Sequence, residues 1–220
     1  MTLLEKAERK PSKSKGITAI IIATLCTIGI AVAYFYGPRE LHGIDIAVLF
    51  IIAAFVAYGS TQNTIRGLFT AMAIYLATAI GSTFYKVLAP YARSFLNALN
   101  GVSLGSPPPG QVDTPALAVS FAFAAVVLWI ILEVLFRAAL PGTRLTFLGP
   151  VDRVGGALVY LLVGIAVAAL TFSITGYAVA GEEGYSRAAL RPELDQVMAL
   201  IYRIQAPWFA GNPPAVYIYN

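Results

Sequence analysis

One cysteine and one histidine in 220 residues remove much of the chemistry a chain can carry. Cys26 alone forms no intrachain disulfide, and His42 as the single imidazole leaves no ligand set for zinc, haem or an iron–sulfur centre. Charge is scarce as well. Asp, Glu, Lys and Arg make up 12% of the residues, about half of the roughly 25% usual in a soluble domain. Catalytic signatures are missing: there is no HExxH, GxGxxG, Walker loop or GxSxG. Ser173 and Thr175 have no histidine or lysine placed to serve as base, and nothing fixes the spacing of a Glu133–Asp152 carboxylate pair. The residues therefore read as a non-enzyme with no cofactor.

What the chain has is apolar length. Hydrophobic residues make up 58% of it, gathered into uncharged runs that leave no room for a soluble domain. Ile17–Tyr36 is a 20-residue run without charge, the length a helix needs to cross about 30 Å of hydrocarbon. It ends in Tyr34-Phe35-Tyr36, which suits the headgroup region. A basic segment before it and Ala31-Val32-Ala33 near its end also fit a cleavable signal peptide. The aromatics just beyond favour an uncleaved helix.

Further spans are expected from Ile44 to about Ser60, from Leu68 to about Tyr85, from about Ala116 to Leu135, and from about Val154 to Tyr177. Val87–Leu99, with Pro90 in its first turn, reads as a short interfacial helix. Residues 182–220 read as an extracytoplasmic tail. It contains an amphipathic helix over 190–206, in which Leu190, Leu194, Val197, Ile201 and Ile204 share a face. That helix is too polar to span and is expected on the membrane surface or docked on the bundle. The fold class is thus all-α: a polytopic membrane bundle of about five transmembrane helices plus interfacial amphipathic helices.

Charge placement sets the orientation. Lys6, Arg9, Lys10, Lys13 and Lys15 precede the first span. A basic cluster of this kind also occurs in nucleic-acid binders, but before an apolar run it reads as a cytoplasmic tail, residues 1–16, touching anionic headgroups. With that end inside, Arg66, Arg137, Arg144 and Arg153 also fall on the cytoplasmic side. The reading is N-terminus in, C-terminus out, with the lipid bilayer as partner and no nucleic acid.

Ionisable residues in membrane spans are candidate functional sites by default. Here they are Asp45, Asp152 and Arg153 near span starts, and the pair Glu133 and Arg137, spaced i,i+4 in the favourable order. All lie within a turn or two of span ends, where snorkelling makes charge cheap. Small residues recur at multiples of four: Ala19/Ala23/Thr27/Ala31, Ala73/Ala77/Gly81 and Gly156/Gly164/Ala168. Such faces let helix backbones approach closely, within one chain or between copies.

Three short motifs stand at span starts. They are Ile44-Asp45, Arg66-Gly67, and Asp152-Arg153-Val154-x-Gly156 with Gly164 beyond. In this order they resemble the colicin V production protein (CvpA) family of bacterial membrane proteins, over about Gly43 to Tyr177. The chain departs from the family at Val163, where many members carry arginine, and in the added span at Ile17–Tyr36. The resemblance implies a four-helix domain over 44–177 in the bacterial inner membrane. It also implies a role in toxin production or export and in envelope homeostasis, through contacts with other membrane proteins or further copies. A small oligomeric channel or transporter using Glu133 and Arg137 is the alternative. An anchor subunit of a redox complex is disfavoured by the lack of paired histidines.

Overall fold

The computed structural model describes residues 13–37, 40–100, 113–139, 149–176, 187–209 and 214. Most of the basic tail, Arg144 and nearly all of the end beyond Phe209 lie outside the described residues, as does the proline-containing loop before Asp113. Six α-helices account for the described fold: α1 Lys13–Tyr36, α2 Gly43–Gly59, α3 Thr64–Asn100, α4 Thr114–Ala139, α5 Gly149–Thr175 and α6 Arg191–Gln205. A 3-10 turn, Ala206–Trp208, follows α6. The architecture is an all-α membrane helix bundle. Four helices (α1, α3, α4 and α5) are long and apolar enough to cross a bilayer. Helix α2 has 17 residues, about 25 Å of rise, slightly short of the roughly 20 residues a perpendicular span needs.

The packing is an open array rather than a closed ring. Helix α3 packs chiefly on α4, α2 chiefly on α5, and α3 joins the two pairs through α5. Helix α1 sits at the edge against α2, and α4 meets α5 only marginally. The α3–α4 seam is made by small residues. Ala73, Ala77, Ala118 and Ala124 are buried there, and a Cβ on Gly81 would lie 3.4 Å from the Ala125 backbone nitrogen, an ordinary contact. Beyond these, Tyr85 meets Phe121 edge to face.

Helix α3 corrects one expectation. The third span and the interfacial helix over 87–99 form one continuous helix of 37 residues, with Pro90 inside it. Proline forfeits one backbone hydrogen bond and crowds the preceding turn. Here the flanking turns are held from outside, by the Tyr85–Phe121 contact and by an ion pair between Arg93 and Asp113. Asp113 also starts α4, where its Oδ1 accepts the Ala116 N–H at 3.3 Å and Pro115 sits in the first turn, as helix starts prefer.

Helix α6 docks on the bundle, mainly against α5. Its buried line is Leu194, Met198 and Gln205, with Val197 and Ile201 partly covered. Ile204, expected on the covered face, is 53% exposed. Gln205 takes the inner place because it finds polar partners: its Nε2 donates to Thr78 Oγ1 at 2.5 Å and to the Tyr75 carbonyl at 3.3 Å. A buried amide is tolerated only when its donors are used. Beyond the turn, Phe209 is buried and the Trp208 indole donates to the Tyr75 hydroxyl at 2.9 Å.

Candidate functional site

The first two residues of interest are carboxylates, and neither snorkels. Asp45 is fully buried and Asp152 nearly so. Burying a carboxylate is costly unless it gains hydrogen bonds or charge partners, and each has found backbone donors on another element. Asp45 lies in the first turn of α2. Its Oδ2 accepts the His42 N–H at 2.9 Å, closing the start of its own helix, and the Ala189 N–H at 3.1 Å. Its Oδ1 accepts the Leu190 N–H at 2.9 Å. Leu190 is the residue at which α6 begins, where N–H groups lack helical partners and the helix dipole favours negative charge. One carboxylate thus caps two helices that are 144 residues apart in the chain.

Asp152 does the same at the other end of the bundle. Its Oδ1 accepts the Thr64 N–H at 2.9 Å, and its backbone carbonyl accepts the Thr64 hydroxyl at 3.0 Å. Thr64 is the first residue of α3, so the first turn of α5 caps α3. Arg153 lies beside it in α5, with its side chain outside the described residues, and Arg66 is exposed one turn into α3.

Glycines make this end possible. A Cβ on Gly156 would lie 2.5 Å from the Gln62 carbonyl oxygen and 3.0 Å from that of Gly59. On Gly155 it would strike the Thr64 hydroxyl, and on Gly59 the Tyr160 side chain. Gly67 faces Val159 at 3.0 Å, and Gly164 faces the Phe55 Cβ at 2.8 Å. The glycine line of α5 is therefore the surface on which α2 and the α2–α3 turn rest.

Between α4 and the α2–α5 pair lies a cavity of about 310 Å³. Glu133 and Arg137 of α4 enter it from one wall, and Tyr58, Thr70 and Tyr160 from the others. Glu133 Oε1 accepts from Arg137 Nε at 3.1 Å and Nη2 at 3.0 Å. Its Oε2 accepts from the Thr70 hydroxyl at 3.1 Å, which in turn lies 3.0 Å from the Tyr160 hydroxyl. Arg137 Nη2 also reaches the Tyr58 hydroxyl at 3.4 Å. The Glu133 side chain is mostly covered, whereas that of Arg137 is 53% exposed. Four helices thus converge on one charge-neutral cluster at the edge of the bundle.

Sequence reasoning singled out Glu133 and Arg137 from their spacing but missed Tyr58, Thr70 and Tyr160. Polar side chains on three other helices carry no local signal that they meet. The partners of Asp45 were missed for the same reason. The structure does not bring Glu133 and Asp152 together as a catalytic pair, since each is held by separate donors. Among the described residues there is no group of three His, Cys, Asp or Glu that could hold a metal ion.

A family model described as Colicin V production protein matches residues 44–199, from the start of α2 into α6. No curated protein and no solved structure matches the chain.

Proposed function

The chain belongs to the colicin V production protein family, and we propose that it works there as a non-enzymatic membrane component supporting toxin production or export, or envelope homeostasis, through protein contacts. In this reading it sits in the bacterial cytoplasmic membrane with its N-terminus in the cytoplasm. The observation that carries the reading is α1, which precedes the matched region. It leans on α2, and Ile20, Leu25, Ile28 and Val32 are more than half exposed. Ala23, Thr27 and Ala31 are exposed on the same helix, and the Thr27 hydroxyl is already satisfied by the Ala23 carbonyl at 2.9 Å. A face of small residues with no unmet polar group suits close approach by another helix.

Extracted together with its surrounding bilayer, the protein is expected to carry other proteins or further copies in fixed proportion. Ala23→Leu combined with Ala31→Leu is expected to strip them without lowering the unfolding temperature of the bundle. Monomer alone, across several mild extraction conditions, would overturn the reading.

The cluster at Glu133 favours a second reading, a small oligomeric channel. Protein reconstituted in vesicles would then pass protons or small ions at a rate that Glu133→Gln lowers. Flux no greater than that of empty vesicles disposes of it.

A further inference from the structure

The cavity around Glu133 and Arg137 does not end at its polar cluster. Trp129 lines it and also lines a second cavity of about 270 Å³, which runs along α4 past Val126, Ala125, Ala122 and Phe121. The two lie along the side of α4 that barely touches α5 and meet at Trp129, so that together they line a groove. Residues Phe121 to Arg137 cover about 24 Å of helix. One end of the groove is charged and hydroxylated, and the other is almost wholly apolar.

The chemistry is graded along that length. Arg137 stands two residues from the end of α4, where a span meets the headgroups. Its Nε and Nη2 are held by Glu133 and Tyr58, which fixes the fork, and the side chain as a whole is half exposed. A fixed guanidinium edge is the preferred partner of a phosphate. Two turns further in along α4, Trp129 holds its indole N–H buried with no hydrogen-bond partner. Buried donors of this kind normally find an acceptor. Because Arg137 reaches back to Glu133, guanidinium and indole lie about one turn apart, roughly 6 Å along the axis. Beyond the indole only an apolar chain fits. Phosphate, then an acceptor oxygen, then hydrocarbon is the order of groups in a glycerophospholipid.

We propose that this groove binds one glycerophospholipid. Its phosphate rests on the outer edge of Arg137, an ester carbonyl accepts from the Trp129 indole, and an acyl chain lies along α4 towards Phe121. Charge argues against the chain's own peripheral helix as the occupant. A second copy inserted in the same orientation would bring the start of α1, with Lys13 and Lys15, to the end where Arg137 and the exposed Arg66 already stand. With Arg66, Arg137 and Arg153 set against Glu133 and Asp152, this end is net positive, which favours an anionic phosphate.

The test is native mass spectrometry of the full chain, purified in mild detergent with a defined diacyl phosphatidylglycerol added. The wild type is expected to retain one lipid per chain. Arg137→Gln should weaken retention about tenfold or more, as loss of a charge-assisted hydrogen bond does. Trp129→Phe, which keeps the ring and removes the donor, should weaken it several-fold. Ala122→Phe, which fills the apolar part and leaves the charge alone, should also lose the lipid; its melting temperature and helicity report whether it folds. Glycerol phosphate and inorganic phosphate, which lack chains, should not compete. Competition by either would show an anion site without a lipid groove and overturn the proposal. So would equal retention in wild type, Arg137→Gln and Trp129→Phe, or a second protein chain in place of the lipid.

Discussion

Asp45→Ala is expected to free the C-terminal helix and to cost about 3–5 kcal/mol of stability. Three backbone N–H groups, of His42, Ala189 and Leu190, lose their acceptor together, and a buried donor left unsatisfied costs about 1–3 kcal/mol. The side chain is fully covered, so water does not readily replace it. Asp45→Asn should fall between the two, since one amide oxygen remains to accept where two carboxylate oxygens did. Asp152→Ala should cost less, about 1–2 kcal/mol, because it removes one acceptor from Thr64 while the Asp152 carbonyl keeps the hydroxyl. The measurement is limited proteolysis at Arg191 and Arg203, alongside thermal unfolding in detergent. Cleavage of the tail no faster in Asp45→Ala than in the wild type would show that the carboxylate does not hold α6.

The second large effect is expected at Gly156. An alanine there places its methyl carbon 2.5 Å from the Gln62 carbonyl oxygen, well inside contact distance, and the obstacle is backbone rather than a flexible side chain. Either α5 or the α2–α3 turn must move, and the Thr64–Asp152 bond at that turn is lost with it. Overpacking of this kind costs about 1–3 kcal/mol, and the broken cap adds about 1 kcal/mol. Gly29→Ala is the internal comparison. Nothing lies within 4 Å of a Cβ at that position, so the substitution should be neutral, or stabilising by up to about 1 kcal/mol, through helix propensity. Unfolding both variants side by side checks the argument. Equal melting temperatures would mean that the turn yields freely.

The apolar runs were legible because a membrane span is written in consecutive residues. The bounds of α2, α4 and α6 lie close to where charge, proline and aromatics placed them. Pro90 misled, since a proline in sequence is a local break signal, whereas α3 continues through it on the strength of Tyr85, Arg93 and their partners on and before α4. Asp45 and Asp152 were visible as acids at helix starts, but not as caps of other helices. Their acceptors' targets are backbone N–H groups, which every residue but proline possesses and which leave no mark in sequence. Gln205 was hidden by its polarity, and its buried place becomes intelligible only once Thr78 stands opposite.

The reach of Asp45 across 144 residues also sets an order of events. Helices leave the ribosome from the N-terminus, so α2 enters the membrane with two of the three donors to its carboxylate not yet made. The Asp152–Thr64 cap forms earlier, when α5 emerges. The Asp45 cap closes only when Ala189 and Leu190 arrive, making it the later of the two. Until then the chain carries an acid in apolar surroundings with most of its partners missing. Closure of the tail is thus the last capping step of the bundle: before Ala189 and Leu190 arrive, the Asp45 carboxylate holds the His42 N–H alone.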